Sequence, residues 1–284
     1  DLITTTGTLT IGQATTAGSD GAGTSASTLT SAAITSDGLT LGSKNIALVS
    51  GSTVDLGSLT TTGTLSVTSS GAVTDSGALA ITGTTTIAAG SGNNITLDNT
   101  SNNFQGAVSI TTGNNVTLVD AGDIDLGAST VSGTYAVTAT SGDITDSGTL
   151  TITGAATFKT GADGSNIVLD SSSNAFSAAV TMIADAGGED FGNITFVDSA
   201  AIDFATSASS NGDLYINSST DGTVGGNLSV TATTGNITDT VALAVTGTTT
   251  LVTSADNGTI ALDTTTNAFT GALTITTNDS SGTD

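Results

Sequence analysis

Three series of aspartates recur along this chain, and their spacing raises two chemistries: metal binding and carboxylate acid–base work. Asp75, Asp146 and Asp239 form one series, Asp98, Asp170 and Asp263 a second, and Asp55, Asp125 and Asp203 a third. Oxygen ligands at corners are what calcium takes, so Asp98, Asp170 and Asp263 are weak candidate metal ligands. The nonapeptide Gly-Gly-x-Gly-x-Asp of calcium-bound β-rolls is missing, as is an EF-hand loop. Paired carboxylates also serve glycoside chemistry, which needs two of them at a defined separation. Such sites usually add Arg, Lys or His, and this chain has no His and only two basic residues, Lys44 and Lys159. Return of the same Asp in block after block fits construction better than a single active centre. We therefore expect no enzyme, no catalytic residue and no cofactor beyond weak calcium binding. The plainest role for these Asp is to satisfy turn amides and keep the protein soluble.

The aspartates sit inside a longer repeated sentence. Ile95-Thr96-Leu97-Asp98, Asn102-Asn103-Phe104 and Val108-Ser109-Ile110 return as Ile167-Val168-Leu169-Asp170, Asn174-Ala175-Phe176 and Val180-Thr181-Met182. They return again as Ile260-Ala261-Leu262-Asp263, Asn267-Ala268-Phe269 and Leu273-Thr274-Ile275. Phe104, Phe176 and Phe269 read as core fillers. Asn102, Asn174 and Asn267, two residues before each Phe, read as corner residues able to stack as hydrogen-bonded ladders. A second anchor, Gly142-Asp143-Ile144-Thr145-Asp146, aligns with residues starting at Gly71 and Gly235. With a fainter copy at the start, a single array divides into blocks 1–70, 71–141, 142–234 and 235–284, the last one truncated. The third block is longer than the second by about one turn. Leu214-Tyr215-Ile216 reads as an additional strand and residues 185–190 as part of a lengthened corner, so one extra turn is expected there.

These motifs need an element that repeats every 21 to 27 residues or so, the length of each sub-unit within a block. Each sub-unit holds about three short runs of alternating apolar residues separated by Gly, Asn, Asp or Ser. One turn of a three-sided parallel β-helix has this make-up: short strands point small apolar side chains inward, and corners tolerate tight backbone. The expected fold is all-β, a parallel β-solenoid of about twelve three-sided turns.

Composition agrees. The chain has 284 residues with 37 Gly, no Pro, no Cys, no Trp, 25 acidic residues and a formal net charge of −23. A stack in which nearly every strand amide bonds a neighbouring turn has no use for Pro. Two lysines give no cationic footprint for phosphate backbones, so nucleic acid is excluded as a partner. Without Cys there is neither disulfide nor thiolate metal site. No apolar run approaches the ~20 residues of a membrane helix, so no transmembrane segment is expected. The chain opens on Asp1 rather than Met, as a processed product or a segment of something longer does.

Several of these runs carry a family resemblance. Gly142-Asp143-Ile144-Thr145-Asp146-Ser147-Gly148, Ile167-Val168-Leu169-Asp170 and Gly133-Thr134-Tyr135-Ala136-Val137 resemble the repetitive shaft of filamentous-haemagglutinin-like exoproteins, the large adhesins of two-partner secretion. Asn115-Val116-Thr117-Leu118-Val119-Asp120 with Ile124-Asp125-Leu126-Gly127, echoed at Asn45 and Asn193, adds to it. The resemblance implies a right-handed β-helix, secreted and held at the outer cell surface. The function expected is a structural shaft segment of an extracellular fibre or surface adhesin. It self-associates end to end or continues in a longer chain of the same repeats. The alternative is a carbohydrate- or surface-binding module whose irregular third block meets a cell-surface or glycan ligand. A β-helix polysaccharide lyase ranks below both. So does an ice-binding protein, since Thr runs such as Thr84-Thr85-Thr86 and Thr248-Thr249-Thr250 recur once per block rather than on every turn.

Overall fold

The computed structural model describes residues 45–184, 192–205, 212–217 and 223–278, and before them the strands Ile3–Thr4, Thr8–Ile11, Ser27–Ser31, Ala33–Ser36 and Leu39–Thr40. As the periodicity requires, the protein is all-β: parallel strands stack into a β-solenoid of about ten turns, and the described residues contain no helix. The chain divides into two compact units, Asp1–Thr134 and Tyr135–Asp284.

In the first unit three faces are built by strands taken in rotation. One face stacks Ile46–Ser50, Leu65–Ser69, Thr85–Ala88 and Val108–Thr112. The next stacks Val54–Leu56, Val73–Asp75, Ile95–Leu97 and Val116–Asp120, and the third Leu39–Thr40, Leu59–Thr61, Leu79–Ile81 and Asn103–Phe104. Pairing is parallel and sets like on like: Val54 opposite Val73, Leu59 opposite Leu79, Ile95 opposite Val116. Strands this short follow directly from the sequence. Each described strand of this unit supplies one or two inward apolar residues at period two, as the alternation of buried and part-exposed residues in Ile95–Leu97 and Val116–Asp120 shows. At one corner the backbones of successive turns touch. A Cβ on Gly83 would lie 2.5 Å from the Gly63 carbonyl oxygen, and one on Gly106 2.7 Å from Gly83, so glycine is required for contact rather than for φ.

The second unit repeats the plan. One face stacks Ile144–Asp146, Ile167–Leu169, Ile194–Asp198, Leu228–Ala232, Thr249–Asp256 and Leu273–Asn278. Its core carries larger residues, with Tyr135, Phe158, Phe196 and Phe204 fully buried. Rings from neighbouring turns touch in series: Tyr135 to Phe158 at 5.9 Å and Phe158 to Phe176 at 6.1 Å, both edge-to-face, then Phe176 to Phe196 at 5.2 Å.

The third block departs from the expectation of an extra turn. Leu214-Tyr215-Ile216 does form a strand, Asp213–Asn217. Yet Ile194–Asp198 pairs directly with Leu228–Ala232, so only one turn separates them. The added strand instead slips between Val180–Ala184 and Ile202–Phe204, although it follows both in the chain. The surplus residues thus widen one turn with an inserted strand, because both strands share the same inward apolar pattern and accept the same sheet. Residues 185–190 lie outside the described residues.

Candidate functional site

The recurring Asp and Asn residues converge on one corner arrangement, built the same way in each copy. Asn102 is fully buried. Its Oδ1 accepts the Leu79 N–H at 2.9 Å and its Nδ2 donates to Asp75 Oδ2 at 2.6 Å, both on the preceding turn. Asp75 also accepts the backbone N–H groups of Asp98 and Asn99, at 3.0 and 3.3 Å. The second copy matches: Leu150 N–H to Asn174 Oδ1 at 2.9 Å, Asn174 Nδ2 to Asp146 Oδ2 at 2.7 Å, Asp170 N–H to Asp146 Oδ1 at 2.7 Å. In the third, the Leu243 N–H reaches Asn267 Oδ1 at 2.7 Å, Asn267 Nδ2 reaches Asp239 Oδ2 at 2.6 Å, and the Asp263 N–H reaches Asp239 Oδ1 at 2.8 Å. An Asn fits because its short amide offers both an acceptor for the leucine amide and a donor for the carboxylate, which an ionised Asp cannot.

This geometry shows what the candidate metal ligands do. Asp98, Asp170 and Asp263 have exposed side chains, and what each gives the corner is its backbone N–H. Among the described residues no group of three or more His, Cys, Asp or Glu is placed to hold a metal ion. In the remaining series, Asp55 accepts the Ser76 N–H at 2.9 Å and Asp203 the Thr238 hydroxyl at 3.0 Å, again across one turn. Phe104 and Phe176 are buried beside the clamp, while Phe269 is only half-buried.

Two further devices were not read from the sequence. Asp120, fully buried, accepts the Phe104 N–H at 2.6 Å and the Gly122 N–H at 2.7 Å, while the Ala121 N–H donates to the Asn102 carbonyl at 2.7 Å. Asp198 repeats this, taking the Phe176 N–H at 3.1 Å, with the Ser199 N–H on the Asn174 carbonyl at 2.8 Å. The other device is an exposed corner ladder. Asp143 Oδ1 accepts the Asn166 N–H at 2.7 Å, Asn166 Oδ1 the Asn193 N–H at 2.9 Å, Asn193 Oδ1 the Asn227 N–H at 2.8 Å, and Asn227 Oδ1 the Thr248 N–H at 2.7 Å. In the first unit, Asn45 takes the Thr64 N–H at 2.9 Å and Asn115 the Thr134 N–H at 3.0 Å. The signal was present: each of these Asn immediately precedes the first inward Ile, Val or Leu of a strand.

A family model described as repeats of unknown function (DUF5649) matches residues 43–111, 113–183 and 191–276. The chain belongs to that family. No curated protein and no solved structure matches it. Each DUF5649 repeat of this chain holds one clamp: Asp75 with Asn102, Asp146 with Asn174, Asp239 with Asn267. The buried Asp120 and Asp198 open the second and third repeats and bond the Phe of the repeat before, so they form the seam between consecutive DUF5649 repeats.

Burial pushes the carboxyls of Asp75, Asp120, Asp146 and Asp198 above the ordinary carboxylate range, with hydrogen bonds from Asn and backbone N–H groups pulling the other way. A carboxyl raised by folding binds its proton more tightly in the folded state, so its stabilising contribution is full below the unfolded value of 3.8 and is lost as pH rises through the raised folded value. Lower charge relieves self-repulsion in the same direction, given the net charge of −23. The thermal midpoint should therefore rise as pH is lowered from neutral toward 3.8. A scanning calorimetry series in which the midpoint falls over that window would show that the hydrogen bonds outweigh burial.

Proposed function

We propose that this chain is a structural, non-catalytic shaft segment of an extracellular fibre or surface adhesin, extended end to end or through further repeats of the same kind. One observation carries the reading: the side chains that recur from repeat to repeat spend their polar groups on joining one turn to the next. The clamps at Asn102, Asn174 and Asn267 and the seam Asp residues all act within the stack. Such a design fixes length and stiffness, which is the work of a shaft. The acidic lateral surface supports it by discouraging side-by-side clumping while leaving divalent cations, calcium included, able to bundle rods. Likeness of the repeat runs to the haemagglutinin-type shafts supports the adhesin setting at the outer cell surface.

Electron microscopy of purified material tests this. Rods that lengthen with protein concentration, or along longer natural chains, are expected; short single rods at all concentrations together with a short natural chain would contradict it.

The second reading, a module that binds a glycan or cell surface, is favoured by one feature. Stack order and chain order disagree where Asp213–Asn217 inserts beside Ile202–Phe204, as a locally specialised surface would. Deleting residues 185–190 and measuring attachment to cells or glycan arrays separates the two, since unchanged attachment removes the module reading.

A further inference from the structure

Among the described residues nothing covers the seam of the third DUF5649 repeat. In the first two repeats, strands equivalent to Leu273–Asn278 bury their apolar residues: Val108 and Ile110 are 0 % exposed, Val180 3 % and Met182 0 %. Leu273 and Ile275 are 42 % and 49 % exposed. Ile260 and Phe269 are half-buried where Ile95, Ile167, Phe104 and Phe176 are buried. The hydrogen bonding shows the same thing. Ala268 and Thr270 give their N–H groups to Leu243 and Val245 of the preceding turn, so by parallel-strand alternation the Phe269 N–H points the other way. Among the described residues nothing takes that N–H or donates to the Asn267 carbonyl.

The two internal seams show what fits. In each, a strand of pattern apolar–x–apolar–x–Asp pairs with the Ile-x-Leu strand: Ile95 opposite Val116, and Ile167 opposite Ile194. Its Asp then reaches the Phe N–H, and the next residue's N–H reaches the Asn carbonyl. We infer that the face formed by Ile260, Leu262, Asn267 and Phe269 is a docking site for the opening strand of a following DUF5649 repeat, one that ends in Asp. Its first apolar residue lies opposite Ile260, its second opposite Leu262, and its Asp accepts the Phe269 N–H. This chain's own first repeat opens Ile46-Ala47-Leu48-Val49-Ser50, with Ser where the Asp belongs, so a second copy would bring a shorter, uncharged acceptor in place of the carboxylate.

The inference rests on the shaft reading for its biological sense, but its test is local. The full chain is mixed with a peptide of residues 113–134, which carries Val116–Asp120, and amide exchange is followed by NMR. The Phe269 amide should slow at least about tenfold, the factor a charge-assisted bond to a backbone N–H supplies. The same peptide with Asp120→Ala should lose most of that protection. Because a free peptide loses entropy on docking, a second arm fuses residues 113–134 after Asn278. The fusion should melt higher than the parent, and Asp120→Ala within the fused segment should reverse the gain. No Phe269 protection in either arm overturns the inference, as does equal protection with Ala. Concentration-dependent protection of Phe269 in the chain alone, unaffected by peptide, would assign the face to a second copy and overturn it too. Filaments seen alongside an unprotected Phe269 would remove the inference and leave the shaft reading standing.

Discussion

Asn174→Asp should be among the most damaging single changes in the second unit, costing on the order of 3–5 kcal/mol at neutral pH. The new carboxylate keeps an acceptor for the Leu150 N–H but loses the donor that meets Asp146 Oδ2 at 2.7 Å. Two carboxylates then face each other in a buried corner. Asn174→Ala leaves the leucine amide and the Asp146 carboxylate short of partners, at about 1–3 kcal/mol. The ranking should depend on pH. Burial already holds the Asp146 carboxyl above its ordinary value, and a like charge raises such groups further. Acidifying toward about pH 5 favours protonation of one member of the pair and restores a donor. The Asp variant should therefore recover more than the Ala variant, in which Asp146 has lost the Asn174 bond that lowers its pKa and also gains from its proton. Urea unfolding of both variants at the two pH values checks this, and an Asp variant as stable as wild type at neutral pH would show that the corner is solvated.

Phe158→Ala should cost a comparable amount, about 3–5 kcal/mol. Phe158 is fully buried and touches Tyr135 on one side and Phe176 on the other, each edge-to-face. Its loss removes apolar area and two ring contacts from a narrow core that strands on either side hold apart, so collapse into the cavity is limited. Phe269→Ala provides the contrast. That ring is half-buried and has no ring partner among the described residues, so a loss of about 1 kcal/mol is expected. Local exchange at Tyr135 and Phe176 is the better measurement, since a stack of turns can open in parts. Equal losses at the two positions would mean that the core does not discriminate between inner and terminal turns.

Much of the architecture was legible because a solenoid writes its period into the sequence. Alternation in Ile95-Thr96-Leu97 and Val116-Thr117-Leu118 gives strands, and Gly, Asn and Asp between them give corners. The clamp was half legible. Recurrence marked Asn102 and Asp75 as parts of the repeat, but sequence spacing does not say that residues 27 apart meet at 2.6 Å across one turn. That distance depends on turn length, which varies. The ladder through Asn166, Asn193 and Asn227 was hidden by uneven separations, 27 and then 34 residues, though each Asn keeps its place before an inward residue. The slipped strand Asp213–Asn217 was not legible at all beyond its existence. Its apolar pattern suits any rung of the sheet, and only the competition between neighbouring strands selects one.

The central claim is that the recurring Asp and Asn join turns rather than hold a ligand. Site-resolved amide exchange at Leu150, in the metal-free protein, tests it most directly. Leu150 should exchange among the slowest amides, and Asn174→Ala should speed it selectively, with strand amides such as Phe158 little changed. A Leu150 amide that exchanges at loop rates without added metal, and slows only when calcium is supplied, would contradict the account.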